Sequence, residues 1–520
     1  METSVEKYPD LGKTTEYVYS EHGSSLQKAF YTAWTNKDYC DITLRVGKDS
    51  IPTHRLILTS LSEYFKTLLH MDVNGIKDEA ELHEVEFDSL CQILTFGYTG
   101  KIEISMENVA ALFIASSYLQ GVFVKESCER YLLDNLDKSS CIRTWCLADQ
   151  YNAMTLNKKA VLMFMLEFEN ISSTEDFVTL VTMKMFLGVL EQEGLVVSRD
   201  GVILPPAEQE VSLLEGVLHY IDRTKCGTEN AVSLLNAVRL PLIEHAMITE
   251  HMSKYPKLCQ NNAVKNIVDA AKTFQESSEP SQQNSSIWLS PRRPKINGYM
   301  YDPKAYAVGG QDGVHFFLRC HFGLPRPSKE ALITSVDVHL RFWSQHPQEN
   351  PLVGGLTFRY SDNTVTQGGL AADSPYCTKV ESFTLQDCEY ITKVVIKSGW
   401  MMDSIKFETN FGKSYGPWGG PGGGERICVA PNGAIGYLHS FAGIDINSGG
   451  CSAVHRVRLG WATLDDTEQE LEMRDLYDKL KVRPTIDGDN ELYDEDEVYV
   501  EDEVTEETDS DEYENPSDIE

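Results

Sequence analysis

Tyr39-Cys40-Asp41-Ile42-Thr43-Leu44-Arg45-Val46 alternates polar and apolar side chains residue by residue. Ile42, Leu44 and Val46 fall on one side of an extended chain, with Asp41, Thr43 and Arg45 on the other, so this stretch predicts a half-buried β-strand. Upstream, Ser24 to Asn36 places Leu26, Phe30 and Ala33 at i, i+4 and i+7, one apolar face of an amphipathic helix that Trp34 widens. Downstream, Gly47-Lys48-Asp49-Ser50 supplies the turn into a second short strand at Ile51. From His54 to Leu69 the spacing of Leu56, Ile57, Leu61, Phe65 and Leu68 is helical. Glu84 to Phe87 reads as a strand, and Asp88 to Tyr98 as a helix ending at Gly100. Ser105, with Glu107 in the first turn, is the expected N-cap of a helix through Val109, Leu112 and Phe113. A further helix runs through Cys128, Leu132 and Leu136.

In order and spacing, Tyr39 to Leu44, then His54-Arg55-Leu56-Ile57-Leu58, then Ser62-Glu63-Tyr64-Phe65 resemble the BTB (POZ) signature. The resemblance covers residues 21–135, after a short N-terminal extension over 1–20. It implies an α/β module that homodimerises mainly through its first helix. The stripe Leu26, Phe30 and Trp34 suits that dimer interface, because a small domain has little core left for it to fill; the other destination is its own domain's interior. Asp41 and His54 invite comparison with an acid–base pair, but nothing nearby supplies a nucleophile or metal spacing. A polar cluster pinning strand to helix is the preferred reading. Adaptors of this family that recruit a cullin scaffold carry an apolar-x-Glu motif after the Phe65 helix. The matching place holds Ile76-Lys77-Asp78, so the resemblance implies a cullin-binding surface of Ile76, Asp78 and Tyr64.

Residues 136–275 read as helices joined by short loops: Cys141 to Asp149, Leu156 to Glu169, Asp176 to Val181 and Glu208 to Ile221. The stretch from Gly194 to Pro206 is expected to interrupt them. Val238-Arg239-Leu240-Pro241-Leu242, Glu210 to Leu214 and Cys141-Ile142 with Trp145 resemble a BACK domain, which in related adaptors sets distance and angle and adds a second cullin contact. Residues 276–300, rich in Ser, Gln, Glu and Pro, read as a flexible linker closed by Pro291-Arg292-Arg293-Pro294.

Beyond the linker, Ala305-Tyr306-Ala307-Val308-Gly309-Gly310 looks like one blade of the kelch propeller that usually follows BTB and BACK domains, but that signal does not recur. A different repeat does. Ile333 to Val338 is echoed by Ile391 to Ile396, each followed by a second strand, Gly355 to Phe358 and Ser404 to Phe407. The units end in Gly368-Gly369 and Gly419-Gly420, Gly309-Gly310 precedes the first, and Val454 to Leu459 supplies a final strand. Three glycine pairs with alternating strands between them suggest three sheets about a pseudo-threefold axis. Glu389 to Val394, running through Gly399, Asp403-Ser404-Ile405, Phe407 and Gly412 to Tyr415-Gly416-Pro417-Trp418-Gly419-Gly420, resembles the jacalin-like lectin fold, a β-prism, over residues 301–463. In sugar-binding members a glycine-rich loop and the Asp of a C-terminal Gly-x-x-x-Asp loop grip the sugar hydroxyls, since a fixed carboxylate accepts two hydrogen bonds at once. Here His455 takes that place, four residues after Cys451, which points to protein as the target and leaves carbohydrate as the alternative. The expected recognition surface is Gly309, Gly310, Tyr415, Trp418, Cys451 and His455.

The chain has 520 residues and a formal net charge of −33, which argues against nucleic acid as a partner. Much of that charge is local: residues 484–520 hold 18 acidic and no basic side chains. Within an acidic tail over 464–520, Asp487 to Glu520 is too acidic and too poor in large aliphatics to fold alone, and Thr508, Ser510 and Ser517 beside acids suit phosphorylation. No run of roughly 20 apolar residues suggests a membrane span, and twelve scattered cysteines without a CxxC pair suit a reducing compartment. The expected protein is multidomain: an α/β BTB domain, an all-α BACK domain, an all-β jacalin-like prism and a disordered acidic tail. It is expected to be a cytoplasmic, homodimeric substrate adaptor of a cullin-RING ubiquitin ligase, the nucleus being left open as a location. No catalytic residues, metal or cofactor are expected. A cullin-independent scaffold and an intracellular lectin are the alternatives.

Overall fold

A computed structural model describes residues 18–70, 78–276, 290–301, 306–307, 318–321, 327–328, 330–342, 351–399, 401–431, 434–448 and 451–464. The chain opens with α1 (His22–Asn36), β1 (Ile42–Val46), β2 (Asp49–Thr53), α2 (Arg55–Leu61), α3 (Glu63–His70), β3 (Glu79–Glu81), α4 (Phe87–Thr99), α5 (Val109–Tyr118) and α6 (Val122–Asp134). Ile42 and Leu44 point into a core with Leu58, Phe65, Leu94 and Phe113, as the alternation predicts. The side chain of Asp41 accepts the Arg55 amide at the start of α2 (2.8 Å), while His54 bridges the Tyr98 hydroxyl and the Asp38 carbonyl. Both polar residues therefore tie β1 to the helices around it.

Three local expectations change. The helix over 54–69 is two helices, because Ser62 takes an extended conformation and its hydroxyl accepts the Phe65 amide, capping α3. The strand expected at Glu84 to Phe87 is instead β3, parallel to β1; Glu84 adopts φ +61°, which ends an extended run. Ser105 does not cap α5 directly. A turn intervenes, with the Asn108 side chain accepting the Ser105 amide, and the helix starts at Val109.

An all-helical array follows: α7 (Cys141–Gln150), α8 (Met154–Leu166), α9 (Phe168–Ile171), α10 (Glu175–Leu180), α11 (Met183–Leu190), α12 (Pro206–Thr224), α13 (Thr228–Ala237), α14 (His245–Ser253), α15 (Pro256–Cys259) and α16 (Asn262–Glu276). Its core stacks Phe164, Phe168, Phe177 and Phe186 beside Trp145 and Tyr220. Between α11 and α12 lies a two-stranded hairpin, β4 (Ser198–Arg199) with β5 (Val202–Ile203), where an interruption alone was expected. Asp200 and Gly201, both at positive φ, make its tight turn.

Residues 290–297 are more than a linker. Arg292 is 4% exposed and inserts into the helical core. Its Nε donates to Glu210 Oε1 (2.7 Å), Nη1 to the carbonyls of Leu190 and Gln192, and Nη2 to that of Ala237. Glu210, on α12 and 1% exposed, also accepts the Arg239 amide with its other oxygen. Buried charges survive only when paired and hydrogen-bonded, and here both conditions hold.

The strap runs straight into a β-domain made of three sheets. The first holds β9 (Ile333–Phe342), β10 (Pro351–Tyr360), β11 (Val365–Gly369) and β12 (Lys379–Thr384) in the order β11-β10-β9-β12. The second holds β13 (Ile391–Ser398), β14 (Met402–Thr409), β15 (Ser414–Gly419) and β16 (Gly424–Cys428) in the order β15-β14-β13-β16. The third is built from β6 (Gly298–Tyr301), β18 (Cys451–Thr463), β17 (Gly436–Ser448) and β8 (Leu318–His321), with β7 (Tyr306–Ala307) also pairing β18. β6 begins at Gly298, so the end of the expected linker already belongs to a sheet. Val338, Phe358, Ile396, Phe407, Phe441 and Trp461 meet in one core fed by all three sheets. The repeated glycines have a steric cause: Gly369 and Gly419 both sit at positive φ, and a Cβ on them would stand 2.4 Å from Gly354 O and 2.0 Å from Asp403 O.

The first residues of β9, β13 and β17 gather at one end of this prism. There Leu332, Tyr390, Tyr437 and Tyr299 surround a cleft of about 420 Å³ beneath Arg293 to Asn297 of the strap. The β4–β5 turn lines a neighbouring cleft with Thr409, Asn410 and Gly436, all at the same end. This base faces the helical domain. At the far end, Leu352 packs on Met401, joining the hairpin tips of the first two sheets. Arg292→Ala should lower the stability of the chain by about 3–5 kcal/mol in chemical denaturation, because Glu210 is left charged and buried. Glu210→Met with Arg292→Met should recover much of that loss; a single variant within about 1 kcal/mol of the parent overturns the assignment.

Candidate functional site

Three surfaces hold the residues singled out by sequence. On α1, Leu26 and Phe30 stand 44% and 41% exposed, with Tyr31 beside them. Trp34, the third member of that stripe, turns inward: its ring stacks on Tyr98 at 4.4 Å and its Nε1 donates to Pro52 O (3.0 Å). The stripe is thus divided between the domain's own packing and solvent.

Tyr64 lies on α3, half-buried, with its hydroxyl 3.1 Å from that of Tyr118 on α5. Burial, and then this neighbour, push its phenol pKa up. Asp78 is exposed, and its carbonyl accepts the Thr43 amide (2.8 Å), fixing where β3 begins. Ile76 lies outside the described residues, as do Gly309 and Gly310 and the tail serines and threonine.

In the prism, Tyr415 and Trp418 both sit on β15 and stack on Phe383 of β12, at 4.1 and 5.7 Å between ring centres. These aromatics seal the seam between the first two sheets. The Tyr415 hydroxyl also donates to Glu389 Oε1 (3.2 Å). Glu389 is 2% exposed and takes three more donors: Thr409 Oγ1 on the same oxygen, and the Gln386 amide and Lys413 Nζ on the other. Burial alone would raise its pKa; the Gln386 amide, Lys413 and Thr409 outweigh it and hold the carboxyl below its ordinary value. Cys451 and His455 both lie within β18, so the stretch matched to a sugar-gripping loop is a strand. A register shift falls between Ile444 and Asp445, opposite Arg456 and Val454, and leaves His455 unpaired in the ladder. The long β17–β18 hairpin absorbs the segment that would otherwise form that loop.

A carboxylate in a glycine-lined setting sits elsewhere. At the tip of the second sheet, Gly399 donates its amide to Asp403 Oδ2 (2.9 Å). Gly422 and Gly423 approach so closely that a Cβ on either would come within 2.8 and 2.5 Å of the Asp403 oxygens. Gly420 donates to the Asp403 carbonyl (2.8 Å). Burial raises the Asp403 pKa, the Gly399 amide partly opposing it. The signal lies in the sequence as Gly399-x-x-x-Asp403 followed by Gly419 to Gly424, a Gly-x-x-x-Asp spacing in the second repeat instead of the C-terminal one. Among the described residues no cluster of three His, Cys, Asp or Glu side chains is placed to hold a metal, and no helix is long and apolar enough to cross a membrane.

Known proteins match this arrangement domain by domain. The family model described as BTB/POZ domain matches residues 30–136, that described as BTB And C-terminal Kelch (BACK) matches 141–253, and that described as Jacalin-like lectin domain matches 332–452. Kelch-like protein 17 of Homo sapiens is 28% identical over 274 residues, 52% of this chain and 40% of that protein. Kelch-like protein 28 of Mus musculus is 27% identical over 299 residues, 56% of this chain and 49% of that protein. The matches therefore span less than half the length of these relatives. A solved structure, the BTB domain of zebrafish PATZ1, aligns at 28% identity with a TM-score of 0.22, over 24% of this chain and 100% of that one.

The Glu389 network predicts a pH dependence. A carboxyl whose pKa is lower in the folded state adds stability above its unfolded value and loses it as pH falls through the folded one. The melting temperature of the prism should therefore drop below about pH 4.5, the ordinary glutamate range, and Glu389→Gln should flatten that acid limb. An unchanged acid limb in the variant overturns the reading.

Proposed function

We propose, for a chain that belongs to the BTB–BACK adaptor family and carries a jacalin-like domain after it, that it acts as a homodimeric substrate adaptor of a cullin-RING ubiquitin ligase. The BTB and BACK domains bind the cullin in this reading, and the prism selects a protein target. The observation that carries it is the buried Arg292–Glu210 anchor, which holds the prism's base to the helical domain and leaves the hairpin tips pointing away. An adaptor must hold its target at a set distance from its scaffold, and a fixed strap does so where a loose linker would not. Exposed Leu26 and Phe30 support dimerisation through α1, with Tyr31 extending the same face. Tyr64, Ile76 and Asp78 are assigned to the cullin surface, and Cys451, His455 and the glycines Gly309 and Gly310 to the target end. The relatives named above are Kelch-like proteins, and no catalytic family accompanies them. The reading places the chain in the cytosol, with the nucleus open.

A specific observation favours a second reading, binding of carbohydrate at the tip. The Asp403 carboxylate, held by Gly399 and flanked by Gly422 and Gly423, is a fixed acceptor set among glycine backbone.

Three experiments test these readings. Immobilised cullin N-terminal domain should capture the wild-type chain and lose the Ile76→Ala, Asp78→Ala double variant, while Leu26→Asp with Phe30→Asp should turn a dimer into a monomer by light scattering. Failure of the wild type to bind, or unchanged binding by the double variant, sinks the cullin assignment. Titration of free mannose, glucose and galactose into the chain should give no heat under the protein-target reading. Saturable heat that Asp403→Asn abolishes establishes the second one.

A further inference from the structure

Ser290-Pro291-Arg292-Arg293 opens the strap, and Arg292 of this stretch enters the helical core. A proline directly after a serine biases that serine toward extended backbone, and two guanidinium side chains follow within three residues. Ser290 is exposed, and residues 291–297 form no helix or strand. Two guanidinium groups stand near it. Arg239 donates from Nη1 to the Ser290 carbonyl, and the exposed Arg293 donates to the exposed Asp387 Oδ1 at 3.2 Å. Arg292, by contrast, is committed to Glu210 and three carbonyls inside the helical domain.

We propose that Ser290 is a phosphorylation site for a proline-directed protein kinase that favours basic residues after the proline, and that its phosphate tightens the strap. The Ser290 hydroxyl oxygen attacks the γ-phosphorus of a nucleoside triphosphate. The bond from that phosphorus to the bridging oxygen breaks, the nucleoside diphosphate leaves, and the hydroxyl proton passes to the kinase's base. The product carries about −1.5 to −2 charge at pH 7 and three strong acceptor oxygens. Because the Arg239 guanidinium already rests on the serine's own carbonyl, those oxygens fall within its reach, and Arg293 can exchange an exposed carboxylate for a dianion. Arg292 stays where it is, since leaving would strand Glu210 in the core. The phosphate therefore adds a clamp at the junction between the helical domain and the prism instead of releasing the existing one.

A second serine–proline pair, Ser374-Pro375, serves as an internal control. It sits in the turn before β12, with the Ser374 hydroxyl accepting the Tyr376 amide, and it is followed by Tyr376-Cys377 instead of arginines. Incubating the full chain with ATP and a proline-directed, base-selective kinase should place phosphate on Ser290 and not on Ser374, as mapped by mass spectrometry. Ser290→Ala should remove it. Amide hydrogen exchange over residues 292–297 should then slow about tenfold, the effect of one charge-assisted hydrogen bond. Arg293→Gln removes the exposed basic residue of the motif, so it should lower modification of Ser290, while Arg239→Lys, which lies outside the motif, should leave modification intact and reduce the slowing. The proposal fails if the kinase modifies a peptide of residues 284–296 but not Ser290 in the folded chain. It fails equally if Ser290 is modified and exchange in the strap is unchanged or faster.

Discussion

The buried pair of Glu210 and Arg292 is the constraint on which the arrangement of this protein depends. A guanidinium has five donors and a carboxylate about four acceptor sites, and neither tolerates burial with those unmet. Here the Arg292 nitrogens meet Glu210 and three helix-end carbonyls, while Glu210 also takes the Arg239 amide. Carbonyls at the ends of α11 and α13 have no partner inside their own helices, so the arginine fills a need the helical domain cannot fill itself. The helical domain is thereby completed by a residue that lies beyond its last helix. The Arg293–Asp387 contact and the β4–β5 turn add to that anchor at the base of the prism.

That anchorage explains why the two ends of the prism differ. Its base carries the strap, three tyrosine rings and the β4–β5 turn. Its tips carry the glycine-rich approaches around Asp403 and the ends of the long third-sheet hairpin. Polar groups held by backbone are stiffer than those on long side chains. Tyr415 and Trp418 are half-buried between the sheets. They are spent on the seam with Phe383, and Tyr415 is further tied to the buried Glu389.

Much of the architecture was legible before any coordinate. Period-two alternation at Ile42 to Val46 and again at Ile333 and Ile391 marked the central strands, because burial on one face leaves that imprint in sequence. The glycine pairs marked close backbone approaches, because nothing larger fits where Gly369 and Gly419 cross a neighbouring strand. Helix ends were read less well. Ser62 and Asn108 break or delay helices through hydrogen bonds of their own side chains, an effect that apolar spacing does not carry. The Asp200-Gly201 turn was a readable hairpin signal, yet its strands are two residues each, too short to show alternation.

By itself the sequence determined which segments fold into which kind of module, since periodicity, turn residues and motif spacing are local properties. It also determined that much of the chain's charge lies at its C-terminal end and that the glycine repeat is threefold in character. Only the tertiary structure decided the fate of single side chains with two destinations. Trp34 went inward onto Tyr98 while Leu26 and Phe30 stayed outside; His455 entered a strand; Arg292 left an apparent linker for the core of another domain. Those choices turn on partners 64, 82 or more than 100 residues away, and no local pattern encodes a contact that exists only once both partners have folded.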